Sequence, residues 1–111
     1  MEAARAVARA PDGSEVAGRG QRNAAVAAFE QALALRGRGA AFTQASAMAK
    51  LHASEMVAFV ADAALQLHGG YGYTRDLPLE RYVRDARILR IYEGASEVQR
   101  SLIARGVLGA R

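Results

Sequence analysis

The stretch Thr43–His68, TQASAMAKLHASEMVAFVADAALQLH, decides the fold. Ala45, Met48, His52, Met56, Phe59, Ala63 and Leu67 recur at spacings of three and four, with Val60 widening the stripe. That period belongs to an amphipathic helix and not to a strand. Thr43 stands where an N-cap is expected, and Gly69-Gly70 stand where a helix stops. A glycine-rich loop follows to Leu77, and Pro78 is placed to open a second helix over 79–91. On that helix Leu79, Tyr82, Val83, Ala86 and Leu89 share one side, and Arg81 with Asp85 form an i, i+4 pair. After a short break at Tyr92-Glu93-Gly94-Ala95, Ser96 and Gln99 have capping-box spacing. A third helix is therefore expected to Leu108, with Val98, Leu102, Ile103 and Val107 as its apolar side.

Upstream, residues 1–41 are rich in Ala, Arg and Gly, and residues 42–111 form the denser part. Two short helices are predicted there, over 2–9 and 22–36. Pro11-Asp12-Gly13-Ser14 and Gly18-Arg19-Gly20 act as breakers between them, and Gly37-Arg38-Gly39 ends the second. Val26, Phe29, Leu33 and Leu35 give the 22–36 helix a thin apolar side, and it would complete a small bundle. Ala, Leu, Arg, Glu and Gln favour helix throughout, and no alternating run of β-branched residues occurs. The expected fold is all-α, an up-and-down helical bundle.

Composition bounds the function. The chain has 111 residues, 51% hydrophobic and 23% charged, as one globular domain would have. No apolar run reaches the ~20 residues that span a bilayer. The start, Met1-Glu2-Ala3-Ala4-Arg5, lacks the apolar core of a secretory signal, so a cytoplasmic location is expected. With no Cys and only two His, at 52 and 68, neither a disulfide framework nor a metal centre is expected. The net charge of +4 comes from basic residues interleaved with acids, without a basic block or stacking aromatics, so nucleic acid is not the expected partner.

Two loops could carry chemistry. The segment Gln66-Leu67-His68-Gly69-Gly70-Tyr71-Gly72-Tyr73 lets a ligand approach the backbone, and its amides with Arg75 could form a phosphate nest. The plain alternative is a helix stop. Glu93, between Tyr92 and Gly94, sits in a tight break between two apolar-faced helices. Buried there, a carboxylate would hold a proton more strongly, as a general base working near neutral pH requires. The alternative is a solvated turn carboxylate near a helix N-terminus.

From Ala45 onward the sequence resembles the C-terminal helical domain of the acyl-CoA dehydrogenase family. The resemblance rests on Ala49-Lys50-x-x-Ala53-Ser54-Glu55, Gln66-x-x-Gly69-Gly70-x-Gly72-Tyr73, Glu80-Arg81-x-x-Arg84-Asp85-Ala86, and Ile91-Tyr92-Glu93-Gly94 followed by Ser96-Glu97-x-Gln99-Arg100. It implies a flavoenzyme that oxidises an acyl-CoA thioester, with FAD as cofactor and electron-transfer flavoprotein as acceptor. Glu93 then matches the base that removes the α-proton, and a nearby backbone amide would steady the enolate oxygen. Gly94 matches the residue beside the substrate. Gln66, Leu67, His68, Gly69 and Gly70 match a loop on the FAD of a neighbouring subunit, implying a homo-oligomer or association with a fuller relative. Ala95, Ser96 and Glu97 match a second FAD strip, in which the family more often has Thr at the position of Ala95; the lost hydroxyl contact is worth roughly 1 kcal/mol. The family's earlier domains and its arginine-phenylalanine-glycine motif are not found, so the chain reads as a C-terminal portion inactive alone. The competing expectation is a non-catalytic helical remnant serving as a structural or interaction module.

Overall fold

The computed structural model describes residues 14–109, with side chains from residue 19 onward. The helix expected over 2–9 lies outside the described residues. Four helices follow: α1 (Ser14–Gly37), α2 (Thr43–Tyr73), α3 (Leu79–Ile88) and α4 (Ser96–Leu108). No strand occurs among the described residues, in agreement with the all-α expectation.

The long α2 is the spine on which α1, α3 and α4 each pack. α1 and α2 form a hairpin. Its turn is a Schellman motif: Gly39 has φ 68, its N–H donates to Arg36 O, and the Ala40 N–H donates to Leu35 O. α3 packs on the C-terminal half of α2, where Leu79 meets Ala64 with Val60, Ala63, Leu65 and Leu77 around them. α4 lies along the N-terminal half: Lys50 reaches Gly94 at its start, and Gly106 near its end faces the Gln44 side chain. Both helices therefore run antiparallel to α2, one after the other. The break between them, Leu89–Ala95, is held against the middle of the spine.

Several local expectations change. α1 begins at Ser14 and runs straight through Gly18-Arg19-Gly20. Packing on α2 offsets the roughly 1 kcal/mol per glycine that helical propensity costs there. Thr43 is the first residue of α2 and not its cap; Phe42 holds the cap position, with no side-chain bond. The spine does break at Gly69 (φ 59, ψ −147), but one more helical turn, through Tyr73, follows the kink. α3 ends at Ile88, three residues early, in a run of turns. Arg81 and Asp85 form no ion pair among the described residues.

The largest correction concerns the buried faces. Of the stripe expected to bury α2, only Ala45 is fully buried, whereas His52, Phe59 and Leu67 are exposed. The buried positions are Ala45, Ala47, Ala49, Ser54, Ala61, Ala64 and Gly72. α1 does the same: Ala25, Ala28 and Ala32 are buried while Val26, Phe29 and Leu33 face outward. Tyr82 on α3 and Val98 and Val107 on α4 are likewise exposed. Small side chains permit close helix approach, so the alanine rows occupy the contact lines and the larger residues are displaced to their edges.

Candidate functional site

The site is the break between α3 and α4. The Ile91 and Tyr92 N–H groups both donate to Ile88 O, which turns the chain off the end of α3. The Ser96 N–H donates to Arg90 O (3.0 Å), closing the loop at its base. Within it Glu93 has φ 53 and Gly94 has φ 90. Two consecutive left-handed residues reverse the chain sharply. For Gly94 this conformation is free of steric cost; for Glu93 it stores strain of order 1 kcal/mol.

The surrounding side chains hold this shape. Lys50 Nζ donates to Gly94 O at 2.7 Å, from about two turns into α2. Gln99 Nε2 donates to the same oxygen at 3.2 Å and stands 3.5 Å from Glu93 O. A Cβ on Gly94 would run into that carboxamide nitrogen. Glu55 Oε1 then accepts from Arg90 Nε (3.1 Å) and from Arg100 Nη2 (3.3 Å). One carboxylate on the spine thus ties Arg90, at the start of the loop, to Arg100 in the second turn of α4. Each pair is a third or more exposed and holds little energy singly, but together they fix where the loop can sit.

One expectation fails here, and of the two readings of Glu93 the solvated one is found in this chain. The capping box does not form. Ala95 is the cap of α4, Ser96 is its first residue, and Gln99 reaches back to the Glu93 and Gly94 carbonyls. Glu93 is not buried: its residue is exposed in this chain, on the open side of the loop. The reversal that hides the Gly94 carbonyl under Lys50 and Gln99 turns the neighbouring carboxylate outward.

The two strips expected to contact a cofactor are placed apart. Ala95 is half-buried, Ser96 is buried and Glu97 is exposed, all at the N-terminus of α4. The Ser96 hydroxyl is buried without a hydrogen-bond partner. Gln66, Leu67, His68, Gly69 and Gly70 are exposed at the far end of α2. His68 Nδ1 lies 2.7 Å from Ala64 O, and since a carbonyl only accepts, Nδ1–H is the donor. From Lys50, which marks the loop, to Gln66 is sixteen residues of helix, about 24 Å. The chain brings Glu93, Gly94 and Ala95–Glu97 together, and sets Gln66–Gly70 at a second site.

Each of the two places offers a feature that the phosphate-bearing cofactor implied by the resemblance could use. A buried hydroxyl in want of a partner and a helix N-terminus lie on one side. On the other, side-chain atoms added to Gly69 or Gly70 would meet nothing within 4 Å, leaving room for a ligand against the backbone. No group of three or more metal-binding side chains occurs among the described residues. No helix among them is long and apolar enough to cross a membrane.

Sequence reading missed Lys50, Glu55, Arg90 and Arg100 as positioning residues and misassigned Gln99. Lys50 and Glu55 are five residues apart on α2, with no local signal that both meet a loop some forty residues later.

Comparison with known proteins extends this geometry. Residues 19–108 match the family model described as acyl-CoA dehydrogenase, C-terminal domain. The chain is 55% identical over 85 residues to acryloyl-CoA reductase (NADH) of Anaerotignum propionicum, covering 77% of this chain and 22% of that protein. Among solved structures, butyryl-CoA dehydrogenase of Megasphaera elsdenii superposes with a TM-score of 0.80 at 30% identity, over 96% of this chain and 31% of that one. A chain in the structure of the electron transferring flavoprotein of Acidaminococcus fermentans gives a TM-score of 0.81 at 34% identity, over 96% of this chain and 32% of that one. The chain thus spans about a fifth to a third of the length of the relatives it matches. With the family model spanning all of α2, α3 and α4 and most of α1, the chain belongs to the acyl-CoA dehydrogenase family, as its C-terminal helical domain.

Proposed function

We propose that this chain contributes the proton-transferring carboxylate and two flavin-contacting strips to a flavin-dependent oxidation of an acyl-CoA thioester, and that it does not turn over alone. The observation that carries the reading is Glu93 at φ 53, presented by a loop that Lys50 and Gln99 pin through the Gly94 carbonyl. Strain of this kind at a charged, outward-facing residue is a mark of functional sites.

In the proposed reaction the Glu93 carboxylate removes the proton α to the thioester carbonyl. FAD, when bound, supplies the acceptor for the hydride leaving the β-carbon. Gly94 leaves space for the acyl group beside the base. The N-terminus of α4, with Ser96 and Glu97, faces the cofactor, and electrons would pass on to an electron-transfer flavoprotein. A carboxylate open to water is a weak base, and it gains proton affinity when covered. The exposure of Glu93 is therefore consistent with a site completed by domains beyond this chain. Microscopic reversibility lets one carboxylate serve both directions, which suits a family likeness to both a reductase and a dehydrogenase. The separation of Gln66–Gly70 from the Glu93 loop supports their contacting FAD in a neighbouring copy or a fuller relative.

The test supplies the chain with the remaining domains of a relative and follows flavin bleaching by a short-chain acyl-CoA without oxygen. Glu93→Gln is expected to lower the bleaching rate roughly 10²–10⁴-fold with FAD still bound. Unchanged bleaching would remove Glu93 as the base. Flavin bleaching by the chain alone would contradict the dependence on other domains. The second reading, a non-catalytic interaction module, draws on the outward-facing Val26, Phe29 and Leu33. It gains ground if supplied domains give no bleaching with either residue at 93.

A further inference from the structure

We infer that Lys50 is the positioning residue for Glu93: its ammonium, bonded to the Gly94 carbonyl, holds the base in register for proton removal without contributing to acyl-CoA binding. The inference rests on the reading of Glu93 as the base. Glu93 lies between two anchored peptide groups. Upstream, the Tyr92 N–H donates to Ile88 O at 3.1 Å. Downstream, Gly94 O accepts from Lys50 Nζ at 2.7 Å and from Gln99 Nε2 at 3.2 Å. A carbonyl oxygen has two lone pairs, and here each is taken by a different helix. That fixes the plane of the Gly94–Ala95 peptide and leaves Glu93 at φ 53, a backbone region that an L side chain rarely adopts.

The two donors act differently. Gln99 belongs to α4, five residues after Gly94, and travels with the loop. Lys50 belongs to the spine, forty-four residues away in sequence. Among the described residues no other side chain of α2 bonds to residues 91–95, and Glu55 holds only the flanks, at Arg90 and Arg100. Gln99 therefore shapes the turn, and Lys50 sets where the turn stands on the spine. The residue type agrees. Of the fifteen basic residues in the sequence, fourteen are Arg and Lys50 is the one Lys. A guanidinium is a planar fork suited to two acceptors side by side, whereas an ammonium is a compact charge that reaches a single oxygen. With Gln99 already on the same carbonyl, the compact donor is the one that suits the place. Without it Glu93 relaxes toward a negative φ, and its carboxylate leaves the line to the α-proton. A misplacement on the order of 1 Å costs about 10²-fold in rate.

The test uses the chain assembled with the remaining domains of a relative and follows anaerobic flavin bleaching against acyl-CoA concentration. Lys50→Met is expected to lower the limiting bleaching rate roughly 10²-fold, with half-saturation moved less than about threefold and FAD still bound. The chain has no cysteine, so Lys50→Cys can be alkylated with bromoethylamine before assembly. That returns an ammonium at the length of lysine and is expected to recover most of the rate. Lys50→Arg, and the same cysteine capped with iodoacetamide, are expected not to. A folding lesion alone would move half-saturation and FAD content as well, and would not separate the two alkylated forms. An unchanged rate in Lys50→Met, or equal rates for the two alkylated forms, overturns the inference. Glu93→Gln distinguishes this from the reading beneath it. Unchanged bleaching there removes the base and this inference with it, whereas a normal Lys50→Met beside a slow Glu93→Gln removes the positioning role alone. A readout without turnover comes from the full chain, where isotopic labelling of the one lysine nitrogen gives a single signal. Its ammonium is expected to exchange hydrogen more slowly than free lysine does, and exchange as fast as free lysine also overturns the inference.

Discussion

The two glycine-marked breaks in this chain look alike in sequence and differ in construction. At the end of the spine, Gly69 takes φ 59 and Gly70 follows it with open space around both. Between α3 and α4, Gly94 takes φ 90 and its neighbourhood is full: Gln99 on one side and Lys50 on its carbonyl. The first break is an open platform whose glycines leave room for something outside the chain. The second is a locked turn whose glycine is demanded by the chain itself. Glycine near a proposed cofactor thus has two physical meanings here, and the contacts around it separate them.

The sharpest way to break this contrast is Gly94→Ala. The added Cβ meets the Gln99 carboxamide, and an L-residue is forced to a positive φ beside one already strained. A loss of about 2 kcal/mol is expected in urea unfolding of the chain. A loss below a few tenths would mean that the turn relaxes freely. Lys50→Met tests the lock from its other side. It removes a charged donor from Gly94 O but leaves Gln99 in place, so about 1 kcal/mol should be lost. Hydrogen exchange at the Glu93 and Gly94 amides should also rise, while the amides of residues 69 and 70 stay as they were. The smallest effect is expected at the open platform. Gly70→Ala meets no atom within 4 Å and needs no positive φ, so its stability should move by no more than about 0.5 kcal/mol, in the direction of gain. A large loss there would make the two breaks alike.

Much of the helical layout was legible. The spacing along Thr43–His68 marked α2, Gly69 marked its break, Pro78 marked the start of α3, and α4 ended at Leu108 as expected. What the residues hide is sidedness. An amphipathic stripe identifies the buried face when a helix has one neighbour, but α2 has three. With partners on several sides, the lines of closest approach go to Ala, and Phe59, Leu67 and His52 remain at the exposed edges. In the candidate site, the order Tyr92-Glu93-Gly94 located the loop, and the Ser96–Gln99 spacing drew a capping box that never forms. The same Gln99 amide could bond either a helix end or a loop carbonyl. The reversal at Glu93 and Gly94 places two carbonyls within its reach, and they win.

The sequence by itself determined the helical class, the breaks at Gly69, at Pro78 and at Tyr92–Ala95, the family, and the identity of the carboxylate in the loop. These follow from local propensity, from glycine and proline, and from motif order, all of which are properties of neighbours along the chain. Only the tertiary structure decided that Glu93 faces outward and that Lys50 and Gln99 share the Gly94 carbonyl. It also decided that Glu55 joins both sides of the loop, and that the large residues of α1 are left uncovered. Those outcomes depend on which helix faces come within a few ångströms of one another. That is settled by close packing between segments distant in sequence, and no local pattern encodes it.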